Sequence, residues 1–289
     1  MTRERRWTPA LLAAPFVLYT VFVAGPALYT FWLSTSDWKL LRPQHQFVGL
    51  RNFATLLGDS EFWASLRITL WWTVVGVAAS VVLGFLLALA LSRLTRFSRL
   101  AKSMFFLPLS LSLVVVGFAW SWVYRRDDGL ISVLLGLLGR EDLARAWLSE
   151  ESTALWAVIL AWLWQQVPLS MVVYLAGLTA VPGELLEAAT VDGASFWRRV
   201  RHVVIPAVRP STAVVVSLAL INALRSFDIV YVMTKGGPYD STQTLALMSY
   251  EQAFKRYDFG YGSAVSVALF VVTVLVIGGF THVSGRGDR

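Results

Sequence analysis

Long uncharged apolar stretches constrain this chain more than any other feature of its sequence. A helix needs ~20 mostly apolar residues to cross a bilayer. Five stretches qualify, at 7–36, 68–92, 103–124, 152–183 and 259–285. A sixth, 208–232, is apolar for most of its length but carries Arg225 and Asp228. Trimmed to their apolar cores, they predict spans at about 8–35, 68–92, 103–124, 154–180, 208–232 and 260–284, in one transmembrane domain over residues 1–289. Only 15% of the residues are charged, against ~25% in a typical soluble domain. The 13 Trp suit interfacial belts, where an amphipathic ring sits at headgroup level. The expected class is an all-α integral membrane protein of six transmembrane helices. The first apolar run is too long for the core of a cleavable signal peptide and lacks a clear cleavage site.

Six spans put both termini on one side, and the distribution of Lys and Arg identifies that side. The N-terminus, the 93–102 loop, the 181–209 loop and the C-terminus hold 13 cations against five acids, net +8. The rest of the chain is close to neutral, at net −1. Both termini and the 181–209 loop are therefore expected in the cytoplasm. The overall charge of +7 reads as topology, and nucleic acid is not an expected partner. On the other face, residues 37–67, 125–151 and 233–258 are long enough for short helices, and none has the polar content of a soluble domain.

The residues exclude several kinds of chemistry. There is no Cys, so disulfides, thiol chemistry and Cys-containing metal sites are out. The three His, at 45, 202 and 282, are too scattered for a metal cluster. No zinc-protease, nucleophile-elbow or Walker lysine motif occurs. Neither catalytic residues nor metal ligands are expected, and any nucleotide must sit on a partner.

The loop at 183–206 is the most structured of the polar segments. Residues 184–191 favour helix, with acids near its start, where the helix dipole favours them. Asp192-Gly193 is a turn signal, because Gly accepts positive φ without strain. A basic helical segment, 195–203, follows, with Ser195 in position to cap its start. Pro206 and Pro210 lead into the fifth span. Helix, sharp turn, helix is a good shape for insertion into a groove on a partner. The plainer reading is an amphipathic connector whose Arg198, Arg199 and Arg201 face lipid phosphates.

The spacing within this loop resembles a known family. Glu187-Ala188-Ala189, Gly193 four residues on, then Val203, Ile205 and Pro206, is similar to the EAA loop of permease subunits in ATP-binding-cassette importers. Val203 and Ile205 stand in for the usual Ile and Leu. Further landmarks agree: Phe47-Val48-Gly49-Leu50-Arg51-Asn52-Phe53, the stretch from Phe227-Asp228 to Gly236-Gly237-Pro238, Tyr250 with Ala253-Phe254, and Gly260-Tyr261 with Ala264. Together they cover about residues 47–264 and resemble the maltose-type sugar permeases, a group that includes the glycerol-phosphate permease.

The resemblance implies a type I importer fold in a bacterial or archaeal inner membrane, crossed several times. It implies a second homologous permease as heterodimer partner, an ATPase dimer that holds ATP and Mg, an extracytoplasmic solute-binding protein, and a sugar-type substrate. No cofactor is implied in this chain. In the ATPase-coupling loop, Glu187 would pair with a basic residue of the ATPase and Gly193 would allow the turn. Asp192 would brace it, with Ala188, Ala189 and Pro206 completing the motif. A secondary transporter or channel for a small polar solute is the alternative. It would not need such a loop and would move solute without an ATPase.

Polar residues inside spans are costly and mark pathways. The candidates for the solute pathway are Gln165 and Gln166 with Trp162 beside them, and Asn222 with Ser226 one turn on. The competing reading is that Gln165 or Asn222 simply bonds a neighbouring helix. Arg225 and Asp228, three apart, are expected on one helix face, paired near the outer gate or the other subunit. Gly236-Gly237-Pro238 is a turn just outside the membrane, either a contact for the solute-binding protein or an ordinary loop.

Overall fold

The computed structural model describes residues 8–40, 46–92 and 104–286. The basic residues of the N-terminus before Thr8, and those of the 93–102 loop, lie outside the described residues. Among the described residues every extended element is helical, and β pairing is limited to two isolated bridges, Ser36 with Phe47 and Lys39 with Asp258. Four helices among the described residues are long and apolar enough to cross a membrane: Ala13–Leu33, Ser60–Ser92, Glu151–Thr179 and Phe259–Ser284. Two bent pairs bring the number to six if each is one span, Met104–Ser110 with Leu113–Val123 and Phe196–Ala207 with Arg209–Leu224.

The bent pairs differ from the expectation of continuous helices. The third span turns by 116° at 111–112. Leu111 is extended, and Ser112 opens the next helix by accepting a hydrogen bond from the Val115 amide at 3.3 Å. The fifth span ends at Leu224, not at 232. Arg225 closes it, Phe227 leaves helical geometry, and Asp228–Met233 is a separate short helix. Arg225 and Asp228 therefore do not share a helix face. Both are exposed, and no ion pair joins them. The reason is local: a helix that stops at Leu224 frees Asp228 to sit in the first turn of the next, where a carboxylate complements the helix dipole.

The chain forms two compact units. One combines residues up to Trp63 with Met248–Val272. In it three of the sequence landmarks, at 47–53, 250–254 and 260–264, are packed together with the end of the first span. The Asn52 amide donates to the carbonyls of Ser34 (2.9 Å) and Ser36 (2.7 Å), capping the end of the first span. Gly260 lies against the Ser36 backbone. A Cβ at Gly262 would stand 2.8 Å from the Ala253 nitrogen, so only Gly fits there. Lys39 pairs with Asp258, and Arg256 forks onto Glu61 with two contacts of 3.2 Å.

The other unit comprises Ala64–Leu247 with the last residues of the chain. It is built on the second and fourth spans, which pack along a small-residue stripe. Gly76 faces Trp162, and Gly84 faces Ser170. Small residues let two backbones approach closely where lipid offers no hydrophobic drive for association. Trp72 meets Trp162 edge-on at 5.8 Å, with both rings buried. Nearer the 183–206 loop, Ala88, Leu91, Met171, Tyr174, Val204, Val208 and Val215 form a buried apolar cluster. The short helix Asp228–Met233 lies on the Leu113–Val123 helix, and a Cβ at Gly117 would stand 3.0 Å from Val232. The helices expected beyond 124 occur as Leu130–Leu137 and a 3-10 turn, Glu141–Leu143.

Candidate functional site

The loop between the fourth and fifth spans is a helical hairpin. Gly183–Val191 forms its first helix, with Glu184 in the opening turn. The helix ends in a Schellman motif. The Ala194 amide donates to the Ala189 carbonyl (2.9 Å) and the Gly193 amide to the Thr190 carbonyl (3.0 Å). This arrangement needs a left-handed residue after the last helical position, and Gly193 supplies it at φ +72°. Asp192 is the residue just before, exposed and not itself left-handed. The second helix begins at Phe196, with Ser195 extended in front of it. Ser195 makes no side-chain cap, contrary to expectation. The brace comes instead from Arg199, whose guanidinium donates to the Thr190 hydroxyl across the hairpin.

The hairpin has two distinct faces. Leu186, Phe196, Val200 and Val204 line a groove of about 480 Å³ with Leu89, Leu175 and Leu178 at the ends of the second and fourth spans. Leu186 and Val204 reach the buried apolar cluster. On the opposite side Glu187 and Ala188 are exposed, and Val191 is 88% exposed. Ala189 is half-buried and Pro206 exposed, at the start of the bend into the fifth span. One face thus packs into the bundle, and the other offers a carboxylate, a methyl and an isopropyl group to whatever lies outside.

The intramembrane polar candidates separate into two groups. The Gln165 amide donates to the carbonyls of Pro108 (3.1 Å) and Leu111 (2.5 Å). The Pro108 carbonyl also accepts from the Leu111 amide (3.2 Å), and the Leu111 carbonyl lies at the break itself, where the helical ladder stops, so Gln165 holds the break closed. Gln166 points elsewhere. It is 5% exposed, and its carbonyl oxygen accepts from the Asn222 amide at 3.1 Å, joining the fourth and fifth spans. Its Nε2 has no partner among the described residues. Trp162, one turn away, is 2% exposed and packed in the Gly76 notch, so it is core. Ser226 is buried beyond the end of the fifth span. Its hydroxyl is unpaired, and its carbonyl accepts from Thr244 at 2.9 Å.

Ser80 was not among the sequence candidates. It lies midway between Gly76 and Gly84, on the stripe facing Trp162 and Ser170, at the level of Gln166. It is fully buried with an unpaired hydroxyl. The Gly-x3-Ser-x3-Gly spacing was the available signal. Gly236-Gly237-Pro238 is a tight, braced turn. The Thr242 hydroxyl donates to the Gly237 carbonyl (2.9 Å) and bonds the Thr234 hydroxyl (2.7 Å). Gly236 takes φ +90° with Leu247 against it.

A family of proteins described as binding-protein-dependent transport system inner membrane components matches residues 80–286. The trehalose/maltose transport system permease protein MalF of Thermococcus litoralis is 32% identical over 272 residues, covering 94% of this chain and 91% of that protein. The trehalose transport system permease protein SugA of Mycobacterium tuberculosis is 34% identical over 268 residues, covering 92% and 85%. The fold matches a chain in the crystal structure of a bacterial alginate ABC transporter in complex with an alginate pentasaccharide-bound periplasmic protein. The TM-score is 0.86 at 19% identity, over 99% of this chain and 96% of that one. With most of its length matched in sequence and nearly all of it in fold, this chain belongs to the binding-protein-dependent inner membrane components, the permease subunits of ATP-binding-cassette transporters.

Proposed function

We propose that this permease forms half of a pore for a sugar or sugar-like solute, and that the 183–206 hairpin couples it to a cytoplasmic ATPase. The two-faced hairpin carries the reading. Its inner face, Leu186, Phe196, Val200 and Val204, is packed among the ends of the spans. Its outer face, Glu187, Ala188 and Val191, is open. A partner that grips the outer face therefore moves the fourth and fifth spans as a body. The partners are a second, homologous permease, an ATPase dimer that holds ATP and Mg, and an extracytoplasmic solute-binding protein. Sugar is favoured because relatives along nearly the whole chain are named as trehalose and maltose permeases. The membrane is a bacterial or archaeal inner membrane, with both termini and the hairpin in the cytoplasm.

Within the membrane, Gln166 and Asn222 are the residues best suited to meet the solute. They join two spans that must move, and the Gln166 amide has a donor to spare. Gln165 is withdrawn from this role, since its amide is engaged at the break of the third span. Arg225 and the 236–238 turn remain candidates for the outer gate and the solute-binding protein.

The test is ATP hydrolysis by the reconstituted four-part complex across a panel of oligosaccharides and glycerophosphodiesters. The expected result is stimulation by one sugar class in the presence of the solute-binding protein. Hydrolysis that no sugar stimulates, with stimulation by a non-carbohydrate solute, would overturn the sugar assignment.

A further inference from the structure

A second groove, of about 580 Å³, runs along the hairpin end of the second, fourth and fifth spans. One wall is Val82, Phe85 and Leu86 of the second span, and the other includes Ile205. Val82 is 54% exposed, and Leu86 and Ile205 are each 45% exposed. Val82 and Leu86 sit within the apolar stretch of the second span, on its hairpin half, and Ile205 at the end of the hairpin, at the bend leading into the fifth span. The polar atoms of the floor satisfy each other, the Tyr174 hydroxyl bonding that of Thr212 at 3.2 Å. A polar solute would find no hydrogen bond there, and an acyl chain needs none.

The rim is of opposite character. Arg201 and Trp197 close the groove on the hairpin side. Arg201 is exposed, and among the described residues no carboxylate lies within ion-pair distance of it. Arg198 and Arg209 add positive charge nearby. Trp197 is 67% exposed, a ring with an apolar body and an N–H that suits the interface. An apolar slot at membrane depth with an unpaired guanidinium at its mouth has the chemistry of an acidic-lipid site. Another protein chain would have to bring a carboxylate to that level, whereas an acidic lipid carries anion and tail in one molecule.

We propose that this groove holds one anionic glycerophospholipid, its acyl chain along Val82, Leu86 and Ile205 and its phosphate at Arg201. Because Arg201 and Trp197 ride on the second half of the hairpin, the bound lipid ties the coupling element to its leaflet. Lipid acidity then becomes a determinant of coupling, separate from which solute is carried.

The test uses the assembled complex, extracted in mild detergent and titrated with phosphatidylglycerol or phosphatidylcholine, with bound lipid counted by native mass spectrometry. One phosphatidylglycerol is expected to be retained in preference to phosphatidylcholine, and inorganic phosphate should not displace it. Arg201→Gln should lower its affinity about fivefold, the loss of one cation at the membrane surface. Val82→Trp, which fills the slot from a lipid-facing position, should abolish retention while leaving Arg201 in place. Equal retention of the two lipids, or retention unchanged in both variants, would overturn the proposal. So would displacement by free phosphate, or a groove that admits no lipid in the complex because another chain fills it. None of these readouts depends on which solute is transported.

Discussion

At Gly193 the chain takes φ +72° with no atom within 4 Å of where a Cβ would stand. A side chain there meets no clash, only the left-handed backbone penalty, roughly 1–2 kcal/mol for an L-residue. Gly193→Ala is therefore expected to lower solute uptake several-fold at normal membrane levels, while Gly193→Asn, which tolerates that conformation, retains most of it. Uptake assays beside membrane immunoblots check this, and equal uptake in Ala, Asn and wild type would contradict it. Gly193 was legible from Asp-Gly alone, because turn chemistry is local. Gln165 and Gln166 were not separable, because adjacent residues on a helix point about 100° apart and sequence gives no phase relative to neighbours. In the structure one bonds two carbonyls at the break of the third span and the other a side chain on the fifth span. Gln165→Ala should accordingly destabilise the protein, by about 1–3 kcal/mol for the Leu111 carbonyl left without its donor, read as earlier thermal unfolding in detergent. Gln166→Ala and Asn222→Ala should instead shift the half-saturating solute level. The reverse pattern would exchange the two assignments.

The breaks in the third and fifth spans are the elements that hydropathy missed. A sliding apolar window sums side chains and is blind to where the ladder of backbone bonds stops. Pro108 and Ser112 were the signals at the third span, and Asp228 at the head of a new helix was the signal at the fifth. The consequence of the second break is the short helix Asp228–Met233, seated on Gly117 through Val232. A Cβ at Gly117 would already press Val232 at 3.0 Å, so Gly117→Leu should unseat this helix. The expected outcome is faster proteolysis within 226–247 with the Leu113–Val123 helix retained; a digestion pattern like wild type would contradict it. The hairpin was readable as helix, turn, helix, because each half carries its own charge pattern and Asp192-Gly193 marks the turn between them, although the expected Ser195 cap does not form. Its brace from Arg199 to Thr190 was not, since that contact joins residues on either side of the turn.

At the scale of the whole molecule, an all-helical, multiply spanning permease followed from the length of its uncharged stretches and from five motifs with fixed spacing. Transport adds a requirement that no single chain meets. Carrying a pore from 1:99 to 99:1 between two states takes about 5.5 kcal/mol of differential binding, and among the described residues there is no nucleotide-binding loop to supply it. The hairpin is where that free energy would enter, through Glu187 and its exposed neighbours. The most direct measurement is solute uptake into proteoliposomes containing both permeases and the solute-binding protein, with and without the ATPase subunit and ATP, for wild type and Glu187→Ala. Uptake is expected only with the ATPase and ATP, and is expected to be lost in Glu187→Ala at normal assembly. Uptake down a gradient by the permeases alone, indifferent to ATP and to Glu187, would make this chain a carrier or channel instead.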